Sequence, residues 1–494
     1  MNRALRRISI AVLVMFLLLL INVNYLQGFQ TASLAAKPGN SRAFYAAQNQ
    51  YQRGNIVTSD GVTVATSVLS GSDDSIKYQR KYPFGPEYAA ATGSETIFSN
   101  SGIEASENSL LSGNDSALDV RKIIDLITGK TTKGATVELT VNSKAQNAAY
   151  EALKATGKPG AVVAIDPKTG AILAMASYPT YDPNKLAIHD GTKFNKVDHQ
   201  LLADPTQPTL NRAILGTYPP GSTFKIVTSS AQLTQHPNTT INTNFDSPTD
   251  LTLPQTDHVL HNDQGEVCGN GSGQASLITA FAQSCDTTFG KIGMNLGANA
   301  LNDMAQKFGM NNANLDIPMA VAKSNYVIPA SLALTAFSAI GQFSDTVTPL
   351  QEAMFAAAIA NGGTLMKPYL VKQVMASDLS TVQTTGQSVL SQPVSSSAAS
   401  SVGQMMRAAV QDSNGTAFAF NANAEGGLVI AGKTGTAETG TVSLNDAAFT
   451  SFAPYGNPNI AVGVIIQGGG YGASAAAPIA VQVIKAYQSA VGNQ

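Results

Sequence analysis

The chain has 494 residues, too many for one compact domain and enough for two or three. Charged residues make up 13 % of it, well below the roughly 25 % of an average soluble protein. The net charge is −2 and no basic run occurs past the first few residues, which excludes an electrostatic nucleic-acid binder.

The N-terminus reads as a membrane element. Arg3, Arg6 and Arg7 precede residues 8–26, which are apolar except for Ser9, Asn22 and Asn24. Nineteen helical residues at about 1.5 Å each span the hydrocarbon core. The arginines should stay cytoplasmic, leaving the rest of the chain outside the cell membrane as a single-pass protein. The rival reading is a cleaved signal peptide, because Ala32-Ser33-Leu34-Ala35-Ala36 offers small residues for cleavage. Both readings export the same body.

We divide the chain into 1–28, cytoplasmic tip and anchor; 29–145, a smaller mixed spacer or docking domain; and 146–494, the large domain. In the second segment, Arg53-Gly54-Asn55-Ile56-Val57 followed by Asp60-Gly61 predicts strand, turn and strand. Residues 106–127 carry an apolar helical side. No residue set there suggests chemistry. In the third segment, residues 142–155 have a helical pattern, 160–166 and 171–177 are strands, and Lys168-Thr169-Gly170 turns between them.

Residues 222–232 predict a largely apolar, central helix. Residues 236–275 are polar and turn-rich. Residues 277–289, 350–360 and 398–410 predict further helices, with Met405 and Met406 read as core. Residues 428–436, 447–454 and 460–467 read as three consecutive antiparallel strands, and 474–491 as a final helix packed on them. The fold class is α/β of the α+β type: a central antiparallel sheet flanked by helices.

The chemistry lies in three short motifs. Ser222-Thr223-Phe224-Lys225 is the only Ser-x-x-Lys in the chain, and Tyr218-Pro219-Pro220-Gly221 sets a helix start before it. Spacing by three puts a hydroxyl and an amine on one helical face, a nucleophile beside its base. Ser284-Cys285-Asp286 and then Lys433-Thr434-Gly435 follow in the order Ser-x-x-Lys, Ser-x-Asn, Lys-Thr-Gly. Ser222 would be acylated and Lys225 would take its proton. Ser284 would relay that proton toward the leaving amine. Lys433, Thr434 and Thr436 would hold a substrate carboxylate. Gly435 would leave the strand edge open to an extended peptide. The backbone N–H groups of Ser222 and Thr436 would form the oxyanion hole.

Other matches compete. Lys168-Thr169-Gly170 precedes Ser222 and reads as structural. Ser106-Glu107-Asn108 and Ser112-Gly113-Asn114 lie in the N-terminal segment, and Ser443-Leu444-Asn445 follows Lys433. His258 and His261 near Cys268 lack a second cysteine pair, so a polar surface loop is the reading there, with no metal and no cofactor expected. Gly468-Gly469-Gly470-Tyr471-Gly472 lacks the following Lys-Ser/Thr of a phosphate loop and reads as a flexible turn. Cys268 and Cys285 form a disulfide in an exported chain, or remain two buried thiols.

The chain resembles the class B penicillin-binding proteins. Arg53-Gly54-Asn55-Ile56 with Asp60-Gly61, Tyr82-Pro83-Phe84-Gly85 and Gly102-Ile103-Glu104 resemble that family's N-terminal signatures. Val163-Ala164-Ile165-Asp166-Pro167, Asn211-Arg212-Ala213 and residues 432–438 resemble its transpeptidase signatures. The resemblance runs from about residue 50 to the end. It implies a peptidoglycan D,D-transpeptidase that crosslinks stem peptides, is acylated by β-lactam antibiotics and works beside a membrane glycosyltransferase. The segment before residue 146 is too short for a glycosyltransferase domain of its own. A carboxypeptidase or β-lactamase on the same scaffold, and a non-catalytic penicillin-binding sensor or scaffold, are the alternatives.

Asp286 departs from the family pattern, which has Asn there. A carboxylate cannot donate the amide's hydrogen bond, and it favours a charged Lys225. Either Asp286 slows acylation, or a hydrogen-bonded Asp substitutes with little effect.

Overall fold

The computed structural model describes residues 3–30, 34, 51–71, 76–119, 127, 133–420, 428–437 and 444–492. The small-residue stretch 32–36 lies outside them except for Leu34, as does Ser443.

Helix α1 (Arg3–Phe29) is unbroken because no Pro or Gly lies within its apolar run, residues 8–26. Its segment Arg6–Gln27 is long and apolar enough to cross a membrane. Strands β1 (Ile56–Val57) and β2 (Thr63–Leu69) form the expected antiparallel pair around Asp60-Gly61. Strand β3 (Tyr78–Lys81) continues this sheet. Residues 106–127 do not form one helix. A single turn over Asn108–Leu111 ends at Gly113, whose φ is +77°, and Asp115 starts a separate 3₁₀ turn over Ser116–Leu118. The apolar spacing marks burial only in part: Leu110, Leu111 and Leu118 are buried, Ile127 is exposed, and Val120, Ile123 and Ile124 lie outside the described residues, while Ser112-Gly113-Asn114 redirects the chain between Leu111 and Leu118.

Strand β4 (Thr136–Leu139) pairs in parallel with β1. Asn142 caps helix α2 (Ser143–Thr156), its side chain accepting from the N–H groups of Lys144 and Ala145. Strands β5 (Gly160–Ile165) and β6 (Ile172–Tyr178) form the next hairpin. Then come α3 (Lys225–Gln235), α4 (Leu277–Ala282), α5 (Asp286–Leu296) and α6 (Pro349–Ala360). The polar segment before α4 folds into two small hairpins, Asn244–Asp246 with Gln274–Ser276 and Asp250–Thr252 with Val259–His261. Strands β7 (Val371–Met375) and β8 (Thr381–Thr384) follow, then α7 (Ser396–Gln411). Strands β9 (Ala431–Ala437), β10 (Asp446–Ala453) and β11 (Ile460–Ile466) and helix α8 (Ala477–Val491) complete the chain.

Two sheets result. The first runs β8-β7-β4-β1-β2-β3, so strands from beyond residue 370 complete the sheet of the N-terminal segment. The second is antiparallel throughout, in the order β9-β10-β11-β5-β6. Both its faces are covered. Val162, Ala164, Val462 and Val464 pack with Leu153 of α2 and Val483 of α8. Val163, Ile165, Ala461 and Ile465 pack with Phe355 of α6 and Met405 of α7. Burial on both faces explains why residues 160–166 read as a continuous apolar run rather than an alternating one.

The N-terminal signatures meet in one buried cluster. Glu104 accepts from Arg53 Nε and Arg80 Nε, each at 2.6 Å, and from the Tyr82 hydroxyl at 3.1 Å. Burial pushes the Glu104 carboxyl up, but the two guanidiniums outweigh it and hold the group below the usual range.

Candidate active site

The turn Pro219-Pro220-Gly221 delivers Ser222. Gly221 has φ +55° and its N–H bonds Gly341 O at 3.0 Å. Ser222 lies in one 3₁₀ turn, Gly221–Phe224, which runs directly into α3. Lys225, the first residue of α3, therefore stands one turn below it, with Nζ 2.9 Å from Ser222 Oγ.

Ser284 arrives from a break in the predicted 277–289 helix. The chain leaves α4 at Ala282, Ser284 takes φ +60°, and α5 begins at Asp286. The helical pattern continues in sequence across this break, so periodicity does not reveal it. The break turns Ser284 toward both lysines. Lys225 Nζ lies 3.0 Å from Ser284 Oγ, 2.7 Å from Ser284 O and 2.6 Å from Asp286 Oδ1. Lys433 Nζ donates to Ser284 Oγ at 2.9 Å and to Thr434 O at 3.1 Å. Both amines are fully buried. Phe289 lies 5.5 Å from the Lys225 amine, and Phe281 lies 5.7 Å from that of Lys433. The residue inside the break, Cys285, is disulfide-bonded to Cys268.

Burial pushes the Lys225 amine down, Asp286 pushes it back up, and burial prevails. Lys433 falls well below the usual lysine range, through burial first and the charge of Lys225 second. A neutral Lys225 can take a proton from Ser222 along their 2.9 Å contact.

Strand β9 is an edge strand. It passes so close to the turn that carries Ser222 that only glycine fits on either side. A Cβ on Gly435 would meet Pro220 O at 2.6 Å, and one on Gly221 would meet Thr436 O at 2.7 Å. A cleft of about 610 Å³ opens here, lined by Ser222, Ser284, Asp286, Thr434 and Thr436. Ser222, Lys225, Ser284, Asp286 and Lys433 thus form one network. Thr434 and Thr436 face the same cleft, and Gly435 lies at the crossing.

Lys168-Thr169-Gly170 is in the β5–β6 turn, where Thr169 Oγ1 donates to Asp166 Oδ2 at 2.8 Å. The Asp250–Thr252 and Val259–His261 hairpin is more than a surface loop, since His258 and His261 line the cleft. The glycine-rich turn also contributes, placing Tyr471 there. Sequence reasoning missed Thr416, whose hydroxyl is 2.7 Å from that of Thr434, and Gln342, which donates to Thr436 O at 3.3 Å. It also missed Glu352, fully buried behind the Ser222 turn with its Oε1 2.8 Å from Thr223 Oγ1. The available signal was one acidic residue in the otherwise uncharged helix α6.

Residues 160–485 match the model of the penicillin binding protein transpeptidase domain, and residues 53–137 that of the penicillin binding protein A dimerisation domain. The chain belongs to the penicillin-binding protein transpeptidase family. It is 39 % identical to the peptidoglycan D,D-transpeptidase PbpA of Mycolicibacterium smegmatis, over 98 % of this chain and 99 % of that protein. It is 38 % identical to PbpA of Mycobacterium tuberculosis over the same shares. The crystal structure of PBPA from M. tuberculosis superposes with a TM-score of 0.83 at 36 % identity, covering 88 % of this chain and 99 % of that one. A penicillin G acyl-enzyme complex of penicillin-binding protein A from the same organism superposes with a TM-score of 0.82 at 36 % identity, over 88 % and 99 %. The fold matches that expected from the sequence, an antiparallel sheet flanked by helices with an N-terminal domain and an apolar N-terminal helix.

Proposed function

We propose that this protein is a serine-type peptidoglycan D,D-transpeptidase that crosslinks stem peptides and is acylated by β-lactams. The carrying observation is the continuous chain of contacts from Ser222 Oγ through Lys225 Nζ and Ser284 Oγ to Lys433 Nζ, at 2.9, 3.0 and 2.9 Å. It lies beside an edge strand that can accept an extended peptide.

In this reading Lys225 accepts the Ser222 proton as the oxygen attacks the penultimate D-Ala carbonyl. The backbone N–H groups of Ser222 and Thr436 stabilise the oxyanion. The proton returns through Ser284 to the departing D-Ala nitrogen, leaving an ester on Ser222. An acceptor stem-peptide amine then attacks that ester, releases its proton to the same base and restores the Ser222 hydroxyl. Thr434, Thr436 and Lys433 hold the substrate carboxylate. The low amine basicity that burial produces supports Lys225 as base.

The N-terminal helix anchors the chain in the cell membrane, with the catalytic body extracytoplasmic and a membrane glycosyltransferase as partner. Segment 29–145 serves as the docking domain and 146–494 as the transpeptidase domain.

Full-length protein in detergent is treated with fluorescent penicillin and weighed intact. A stable adduct in wild type and none in Ser222→Ala is expected, and labelling of both sinks the reading. With a stem-peptide thioester donor, transfer to an amine acceptor supports the transpeptidase, and hydrolysis alone indicates a carboxypeptidase.

A further inference from the structure

Behind the nucleophile lies a proton count that ordinary ionisation states do not satisfy. Thr223, the residue between Ser222 and Phe224, has its hydroxyl 2.8 Å from Pro220 O and 2.8 Å from Glu352 Oε1. A threonine hydroxyl carries one proton. Pro220 O has no proton to give, so if Glu352 is a carboxylate, one of these two contacts is left without hydrogen. A protonated Glu352 satisfies both: it donates to Thr223, which donates to Pro220 O.

The surroundings agree. Glu352 is 0 % exposed, and its Oε2 has no hydrogen-bond partner among the described residues. It is the sole charged residue in α6. Facing it, Gly463 of β11 abuts its Cβ and Thr450 of β10 bonds its backbone carbonyl. Neither carries charge. The motif lysines are engaged elsewhere, Lys225 with Asp286 and Lys433 with Ser284. On β10 the remaining ionisable group is Asp446, at the far end of the strand, and on α7 it is Arg407, which lies over Tyr455. Burial pushes the Glu352 carboxyl up, to about 8, against the opposing hydrogen bond with Thr223.

We propose that Glu352 is a positioning residue that must stay protonated. Through Thr223 it clamps Pro220 and the 3₁₀ turn that presents Ser222, so its ionisation slackens the nucleophile. This inference rests on Ser222 being the acylated residue, and it adds a neutral carboxylic acid outside the three motifs.

The test follows penicillin G acylation of full-length protein in detergent across pH. Wild type should lose acylation rate on the alkaline side, approaching about tenfold per pH unit past the Glu352 transition. Glu352→Gln keeps a donor for Thr223 and cannot ionise, so it should retain the neutral-pH rate within about threefold and lose that alkaline limb. Thr223→Val should acylate roughly tenfold more slowly at neutral pH. An unchanged limb in Glu352→Gln, or a wild-type rate in Thr223→Val, overturns the proposal. Should Glu352→Gln fail to fold, infrared difference spectroscopy of wild type decides. A protonated-carboxyl carbonyl band that vanishes with the acylation limb supports the clamp, and its absence at neutral pH overturns it. Ser222→Ala that still becomes acylated would sink the parent reading instead.

Discussion

Asp286 Oδ1 lies 2.6 Å from Lys225 Nζ, so the proposed base carries its own counter-ion. Burial pushes the amine toward neutrality and this carboxylate pulls it back toward charge. The two act in opposite directions on one proton, and that proton sets how much free base is present at neutral pH.

Asp286→Asn removes the opposing carboxylate. The Lys225 amine should then lose its proton more readily, and β-lactam acylation at neutral pH should rise with the neutral fraction, by about tenfold or more. The acidic limb of the pH–rate profile should move to lower pH. Stopped-flow acylation across pH measures both, and a rate and limb identical to wild type would refute the role assigned to the carboxylate.

Ser284→Ala deletes the one hydroxyl that, among the described residues, contacts both amines. Losing a proton relay costs about a hundredfold or more in the acylation rate, while the fold should be kept because Ser284 is half-buried in a loop. Circular dichroism alongside the rate separates the two effects.

Gly435→Ala places a methyl 2.6 Å from Pro220 O and 2.9 Å from Thr223 Cγ2. Overpacking of this kind costs about 1–3 kcal/mol. The displaced atoms belong to the turn that carries Ser222, the proposed nucleophile, so acylation should suffer more than stability does. Thermal melts and penicillin labelling on the same sample would show it.

The Cys268–Cys285 bond closes a short loop onto the residue between Ser284 and Asp286. A loop of about this length is worth roughly 3 kcal/mol. The double variant Cys268→Ser/Cys285→Ser should melt earlier and acylate more slowly. An unchanged rate would mean that α4 and α5 hold Ser284 without the bond.

Stability should fall as pH rises between the ordinary glutamate value of 4.5 and about 8, because folded Glu352 keeps its proton while the unfolded chain releases it. The slope from this group is at most about 1.4 kcal/mol per pH unit. Denaturant midpoints of wild type minus Glu352→Gln isolate it, and parallel curves would deny the raised ionisation.

Much of the scaffold was readable because its signals are local. Asn142 before an amphipathic run marks the start of α2, and the Lys168-Thr169-Gly170 turn marks the β5–β6 hairpin. Patterns failed where a single backbone conformation overrode them. Ser284 at φ +60° splits an apolar stretch into two helices, and Gly113 at φ +77° separates the turn over Asn108–Leu111 from the 3₁₀ turn over Ser116–Leu118. Glu352 was passed over because an acidic residue in an apolar helix signals burial without naming its partner.

The residue order alone determined that Ser222 and Lys225 share a helical face, since three residues make nearly one turn whatever surrounds them. It also determined the run of strands that places Lys433 on an extended segment. Only the tertiary structure decided that Lys433 would reach Ser284 across 149 residues, that both amines would be stripped of water, and that Glu352 would lie against Thr223. Those outcomes depend on how sheet and helices pack, and desolvation belongs to the packed assembly rather than to any segment of it.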